Sequence, residues 1–160
     1  MILLFSSIIL FNFIAFKFAK NRLTYNQILH IWCFTTSFQV LFDLFMEYKY
    51  GAYWYFDKGV DWLGLLAHIF LIPPVNMMFL NWYPSKSTLI KQLLYIIFWT
   101  CFVVIYEITA ILPEPIGFFY LGWWEIWYDI FVAPILFVIL IVYFKLILIL
   151  EKMLLDSRST

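Results

Sequence analysis

The sequence predicts an all-α integral membrane protein: a single polytopic bundle of five transmembrane helices, with two short aromatic interfacial loops on its outer side. Three observations carry this. Of the 160 residues, 66% are hydrophobic and only 12% charged. A soluble domain is nearer a quarter charged, so too little polar surface is available to coat a water-facing globule. The charges are also clustered, leaving apolar runs of about 20 residues, the length a helix needs to cross a hydrocarbon core. Those runs lack the dyad alternation of a membrane barrel, and lone strands in lipid would leave backbone groups unpaired.

The first run, 2–18, is closed by Lys17, Lys20 and Arg22. Its positive charges follow the apolar stretch and no small-x-small cleavage site is present, so it reads as a retained helix and not a signal peptide. The second run covers 25–46. The third covers 62–82 and contains Pro73-Pro74. Proline there removes backbone donors and predicts a kink; broken helices are also how transporters expose backbone to ligands. The fourth covers 92–112 and stops at Pro113-Glu114-Pro115. The fifth covers 126–150, with Pro134 in its first half. Residues 151–160 are expected to form a short disordered cytoplasmic tail, and 1–160 one membrane domain.

Five crossings put Lys17, Lys20, Arg22, Lys86, Lys91, Lys145, Lys152 and Arg158 on one side and only Lys49 and Lys58 on the other. Positive residues stay cytoplasmic, which places the N-terminus outside and the C-terminus inside. The outer segments are then 48–62 and 113–128, rich in Trp and Tyr. These side chains suit a headgroup belt, and Trp54 and Trp124 are in addition candidates to line a binding site.

Ionisable side chains at membrane depth cost several kcal/mol unless paired or wet, which makes them functional candidates. Asp43, His68, Glu107 and Asp129 come from four different runs and fall at similar depth, in the outer third of the bilayer. Thr36, Gln39 and Asp43 share one helical face, which Glu47 extends; Thr100 and Glu107 share another. Turned inward, these faces would form a polar pocket opening outward, and carboxylates with a histidine suit a cation, an amine or a proton. Clustered carboxylates need a counter-charge or a proton; His68, Lys49, Lys58 or a ligand could supply the charge. The alternative is that each polar group is tied off locally and the chain is a structural subunit of a larger membrane complex. His30 reads as an interfacial histidine without special role.

Other chemistry is absent. The sequence holds no phosphate-cradling glycine loop, His-Glu-x-x-His site or Gly-x-Ser-x-Gly nucleophile. Cys33 and Cys101 lie in apolar runs and are expected to be buried thiols. No catalytic residue, metal or cofactor is assigned, and zero net charge gives no footprint for nucleic acid. The expected partners are the lipid bilayer and another membrane protein or a second copy.

Three stretches carry a family resemblance: EYKYGAYWYFDKGVDWLGLL from Glu47, NMMFLNWYP from Asn76 and GWWEIWYDIFVAP from Gly122, with Tyr106-Glu107 between the last two. In order and spacing they resemble a family of small multi-pass membrane proteins of unknown function from spore-forming Bacillus- and Clostridium-type bacteria. The resemblance spans about residues 40–145 and implies a bacterial cell membrane, without an activity or catalytic residues. Asp43, Gly51-Ala52-Tyr53-Trp54-Tyr55-Phe56, Gly64 and Pro74 are also similar to the small membrane subunits of carotenoid ring-forming cyclases. That likeness implies an enzyme acting on a lipid or isoprenoid. Val75-Asn76 stands where those proteins carry a pair of glutamates, so the acids that chemistry needs are missing.

The charge bias makes a direct prediction. A reporter fused after Thr160 should be active only in the cytoplasm, and one inserted between Pro113 and Gly122 only outside. A C-terminal reporter active outside the cell would sink the five-span arrangement.

Overall fold

The computed structural model describes residues 1–18, 22–59 and 61–158; Lys20 and positions 159–160 of the expected tail lie outside the described residues. The described residues form five long helices: α1 (Ile2–Phe18), α2 (Tyr25–Lys49), α3 (Trp62–Trp82), α4 (Leu89–Ala110) and α5 (Asp129–Arg158), the last entered through a tight turn at Ile126–Tyr128. Helices α2 to α5 are long and apolar enough to cross a membrane; α1, with 17 residues, is shorter.

Three expectations need correction. Helix α4 starts at Leu89 and ends at Ala110, earlier than 92–112. Helix α5 continues to Arg158, so most of the expected tail is helical. One reason is that Glu151 is tied to the start of α2, accepting hydrogen bonds from Gln27 Nε2 (2.6 Å) and Asn26 Nδ2 (2.8 Å). A carboxylate at a helix N-terminus also complements the helix dipole. Thr24 and Gln27 complete that terminus as a reciprocal capping box. Finally, the fold is not purely helical. The two aromatic segments pair as an antiparallel ribbon, β1 (Tyr53–Tyr55) with β2 (Phe119–Leu121), in the register Tyr53 to Leu121, Trp54 to Tyr120 and Tyr55 to Phe119.

Helix α3 is central. Of its most apolar stretch 56% is buried, against 17% in α2 and α4 and 28% in α5. It packs on α1, α2 and α5, while α4 and α5 pack on each other. Away from the ribbon, Phe79 of α3 is fully buried, stacked on Phe137 of α5 (centroids 4.3 Å apart) and edge-on to Trp99 of α4 (5.8 Å). A second core lies beneath the ribbon, built from Leu4, Tyr53, Tyr55, Leu71, Ala110, Phe118, Phe119 and Trp124.

The chain start and both aromatic segments meet at the ribbon end, where the Met1 amine donates to the Gly117 carbonyl (2.9 Å). The ribbon closes tightly against the α2 exit. Gly51 adopts φ +59°, and a Cβ at Gly122 would lie 2.3 Å from the Gly51 carbonyl oxygen. Glycine is required at both points, by conformation at the first and by close approach at the second.

The prolines of α3 do more than kink it. Residues Ala67–Leu71 widen into a π-helical turn, and the α-helix restarts at Ile72 with Pro73 and Pro74 in its first turn. Proline has no N–H, so the Phe70 carbonyl loses the partner Pro74 would have supplied. Asn12 of α1 replaces it, donating from Nδ2 to Phe70 O at 2.7 Å. A break in α3 thus becomes the polar joint between α1 and α3.

Asn12→Ala should destabilise the purified protein in detergent by about 0.6–2 kcal/mol, the range for hydrogen bonds between membrane helices. In a Pro74→Ala background, where the backbone donor returns, the same substitution should cost clearly less. Equal costs in the two backgrounds, read from thermal unfolding, would contradict this role.

Candidate functional site

A cavity of about 250 Å³ separates the two cores. Tyr53, Tyr55, Phe118, Phe119 and Trp124 line it from the ribbon end, and Ala133, Phe137 and Leu140 from the opposite end. Glu107 of α4, Asp129 of α5 and Gln39 of α2 supply polar groups, together with Thr35, Asn76 and Tyr106. Asn76 donates to Thr35 Oγ1 (3.1 Å), which joins α3 to α2 at the cavity wall.

The four ionisable residues singled out in the sequence fall into two pairs. Asp43 and His68 are 1% and 5% exposed and bonded to each other, Nε2 to Oδ2. His68 Nδ1 faces the Gly64 carbonyl at 2.7 Å. A carbonyl can only accept, so Nδ1 carries a hydrogen and Nε2 is left to the carboxyl. Tyr53 donates its hydroxyl to Asp43 Oδ1, and Gln39 Nε2 approaches the same carboxyl at 3.3–3.4 Å. Burial, reinforced by the Asp43 charge, pushes the Tyr53 phenol far above its ordinary range, so it stays a donor at physiological pH. Tyr55 lays its ring edge-on to His68 (centroids 5.0 Å). Asp43 and His68 do not themselves line the cavity; they stand behind Tyr53 and Gln39, which do.

Glu107 and Asp129 form the second pair. They come from neighbouring helices, α4 and α5, and both line the cavity wall. Asp129 Oδ2 also accepts from Trp124 Nε1 (2.8 Å). No basic side chain is among the residues lining the cavity.

The other candidates divide. Trp124 and Gln39 are at the cavity. Trp54 is not: on β1 its neighbours Tyr53 and Tyr55 point inward, and strand alternation sends Trp54 to the opposite face. There it stacks on Tyr120 (6.2 Å) beneath the Lys58 ammonium (4.3 Å). Thr35, not Thr36, lines the cavity. Cys33 and Cys101 are exposed; a helix formed from an apolar run has an outward side as apolar as its inward one. The sequence reading missed Tyr53, Tyr55, Tyr106, Asn12 and Asn76 as parts of the polar framework. Three successive aromatic residues do not alternate in character, so the sequence held no signal for the first two.

Both helices that carry the Asp43–His68 pair are widened beside it, α2 as a π-turn over Leu44–Lys49 and α3 over Ala67–Leu71. Such turns recur at functional sites, where they re-aim side chains. No family model matches the chain, no curated protein matches it, and no solved structure matches it.

Breaking the Asp43–His68 pair tests its place in the framework. Asp43→Ala and His68→Ala should each cost about 3–5 kcal/mol of stability, since each leaves a buried polar partner alone. The double variant should cost far less than the sum. Additive costs in a thermal or denaturant unfolding cycle would show that the two side chains act independently.

Proposed function

We propose that this chain is a small integral protein of a bacterial cell membrane that binds a small ligand from the outer side, in the cavity beneath the ribbon. All five helices cross the bilayer in this reading, with the N-terminus outside and the C-terminus in the cytoplasm. The observation that supports it best is the placement of Glu107 and Asp129 together on a cavity of about 250 Å³ lined by no basic side chain. Membrane helices associate largely through packing. A cleft of this size forfeits packing contacts that side chains filling it would make. A bundle whose only task was to hold its shape would gain by filling it.

The two acid pairs then have different tasks. Asp43 and His68, engaged with each other and with Tyr53, hold the ribbon over the cavity. Glu107 and Asp129 present charge to what enters. The second aromatic segment supplies Trp124 to orient Asp129, and the first supplies Tyr53 and Tyr55 as part of the roof.

Cysteine accessibility tests this. In a Cys33→Ala/Cys101→Ala background, Val132→Cys on the cavity wall should react in intact cells with a charged, membrane-impermeant methanethiosulfonate. Val138→Cys, exposed on the outside of α5, should be protected by lipid. Failure of Val132→Cys to react from either side of the membrane would mean a dry core, and the structural-subunit reading would replace this one.

A further inference from the structure

We propose that the cavity takes a monovalent organic amine with an apolar body, its ammonium seated between Glu107 and Asp129 and its body against the aromatic walls. This rests on the reading of the cavity as a ligand site and adds the class of ligand.

Charge comes first. The two carboxyls share a cavity wall that, among the described residues, carries no basic side chain. The basic groups nearest this end are engaged elsewhere. His68 is bonded to Asp43, Lys58 lies over Trp54, and Lys49 lies over Phe45 and Tyr50. The Met1 amine is held by the Pro115 and Gly117 carbonyls. A carboxyl pair of this kind favours an added positive charge.

The remaining hydrogen-bonding capacity matches an ammonium. Trp124 engages one oxygen of Asp129, leaving the other and the Glu107 carboxyl as acceptors. Tyr106, one position before Glu107, also lines the cavity. Its enclosed hydroxyl faces the Ser7 side chain, and its oxygen keeps a lone pair free to accept. A primary ammonium has three donors, and these are three acceptors. The Tyr106 ring packs with Phe11 (centroids 5.9 Å), which packs with Phe102 (6.0 Å). All three rings line the cavity, and aromatic faces attract a desolvated cation.

Volume and wall chemistry narrow the class. An apolar cavity of about 150 Å³ accommodates benzene, so about 250 Å³ suits an aryl or branched alkyl amine slightly larger than that. A metal ion fits poorly: among the described residues, no group of three or more His, Cys, Asp or Glu side chains is placed to hold one. A proton alone would satisfy the carboxyls but would need none of the space.

The test uses the full chain in nanodiscs and three probes of nearly equal shape: 2-phenylethylamine, neutral 2-phenylethanol and anionic 3-phenylpropanoate, measured by calorimetry. The amine should bind at least about tenfold more tightly than the alcohol, as charge-assisted hydrogen bonds are roughly twice as strong as neutral ones. The carboxylate should not bind. Glu107→Gln and Asp129→Asn, both isosteric, should each remove most of the amine's advantage over the alcohol. If alcohol and amine bind equally, or the amine's advantage survives both substitutions, the amine assignment falls while the cavity remains a ligand site. If none of the three binds, the ligand-site reading falls with it.

Discussion

One carboxylate holds three elements of this protein together. Asp43, on α2, accepts from Tyr53 on the ribbon and is bonded to His68 on α3. Where no water competes, a buried carboxyl without partners is expensive, and one with good partners fixes their positions. The register of α2 against α3 and the seat of the ribbon on both are therefore a single constraint. The π-turns in the two helices lie immediately beside it. Removing the extra residue from either turn would rotate Asp43 or His68 relative to the helix that continues beyond.

The second constraint is backbone satisfaction. A carbonyl freed inside an apolar bundle must find an internal donor, and the prolines of α3 free at least one. Asn12 meets it from α1, which anchors the shortest helix to the most buried one. The irregular backbone and the ionisable residues thus share the ribbon half of the molecule. The other half is regular aromatic packing around Phe79.

Much of this was legible in the sequence. The five apolar helices and the gathering of Asp43, His68, Glu107 and Asp129 toward one end of the bundle follow from composition and position along the runs. The ribbon was not legible as a sheet. Three-residue strands lie below any periodicity signal, and a cluster of Tyr and Trp reads equally well as an interfacial belt. Trp54 was placed with Trp124 for the same reason: without knowing that Tyr53-Trp54-Tyr55 is extended, its side chain cannot be assigned a face. The length of α5 was hidden by Glu151 and Lys152, which look like a polar exit until Glu151 is seen capping α2.

Level along the bundle was readable from the sequence, but pairing was not. Helix order brings α2 beside α3 and α4 beside α5, so the four ionisable residues divide two and two. The first couple unites a carboxyl with the one histidine among them and is complete, with its remaining valences spent on Tyr53, Gln39 and Gly64. The second couple unites like with like. Two carboxyls cannot neutralise each other, so their environment has to supply a proton or a cation, and the environment they share is the cavity. The asymmetry between a closed pair and an open one is what makes this bundle more than a set of packed helices.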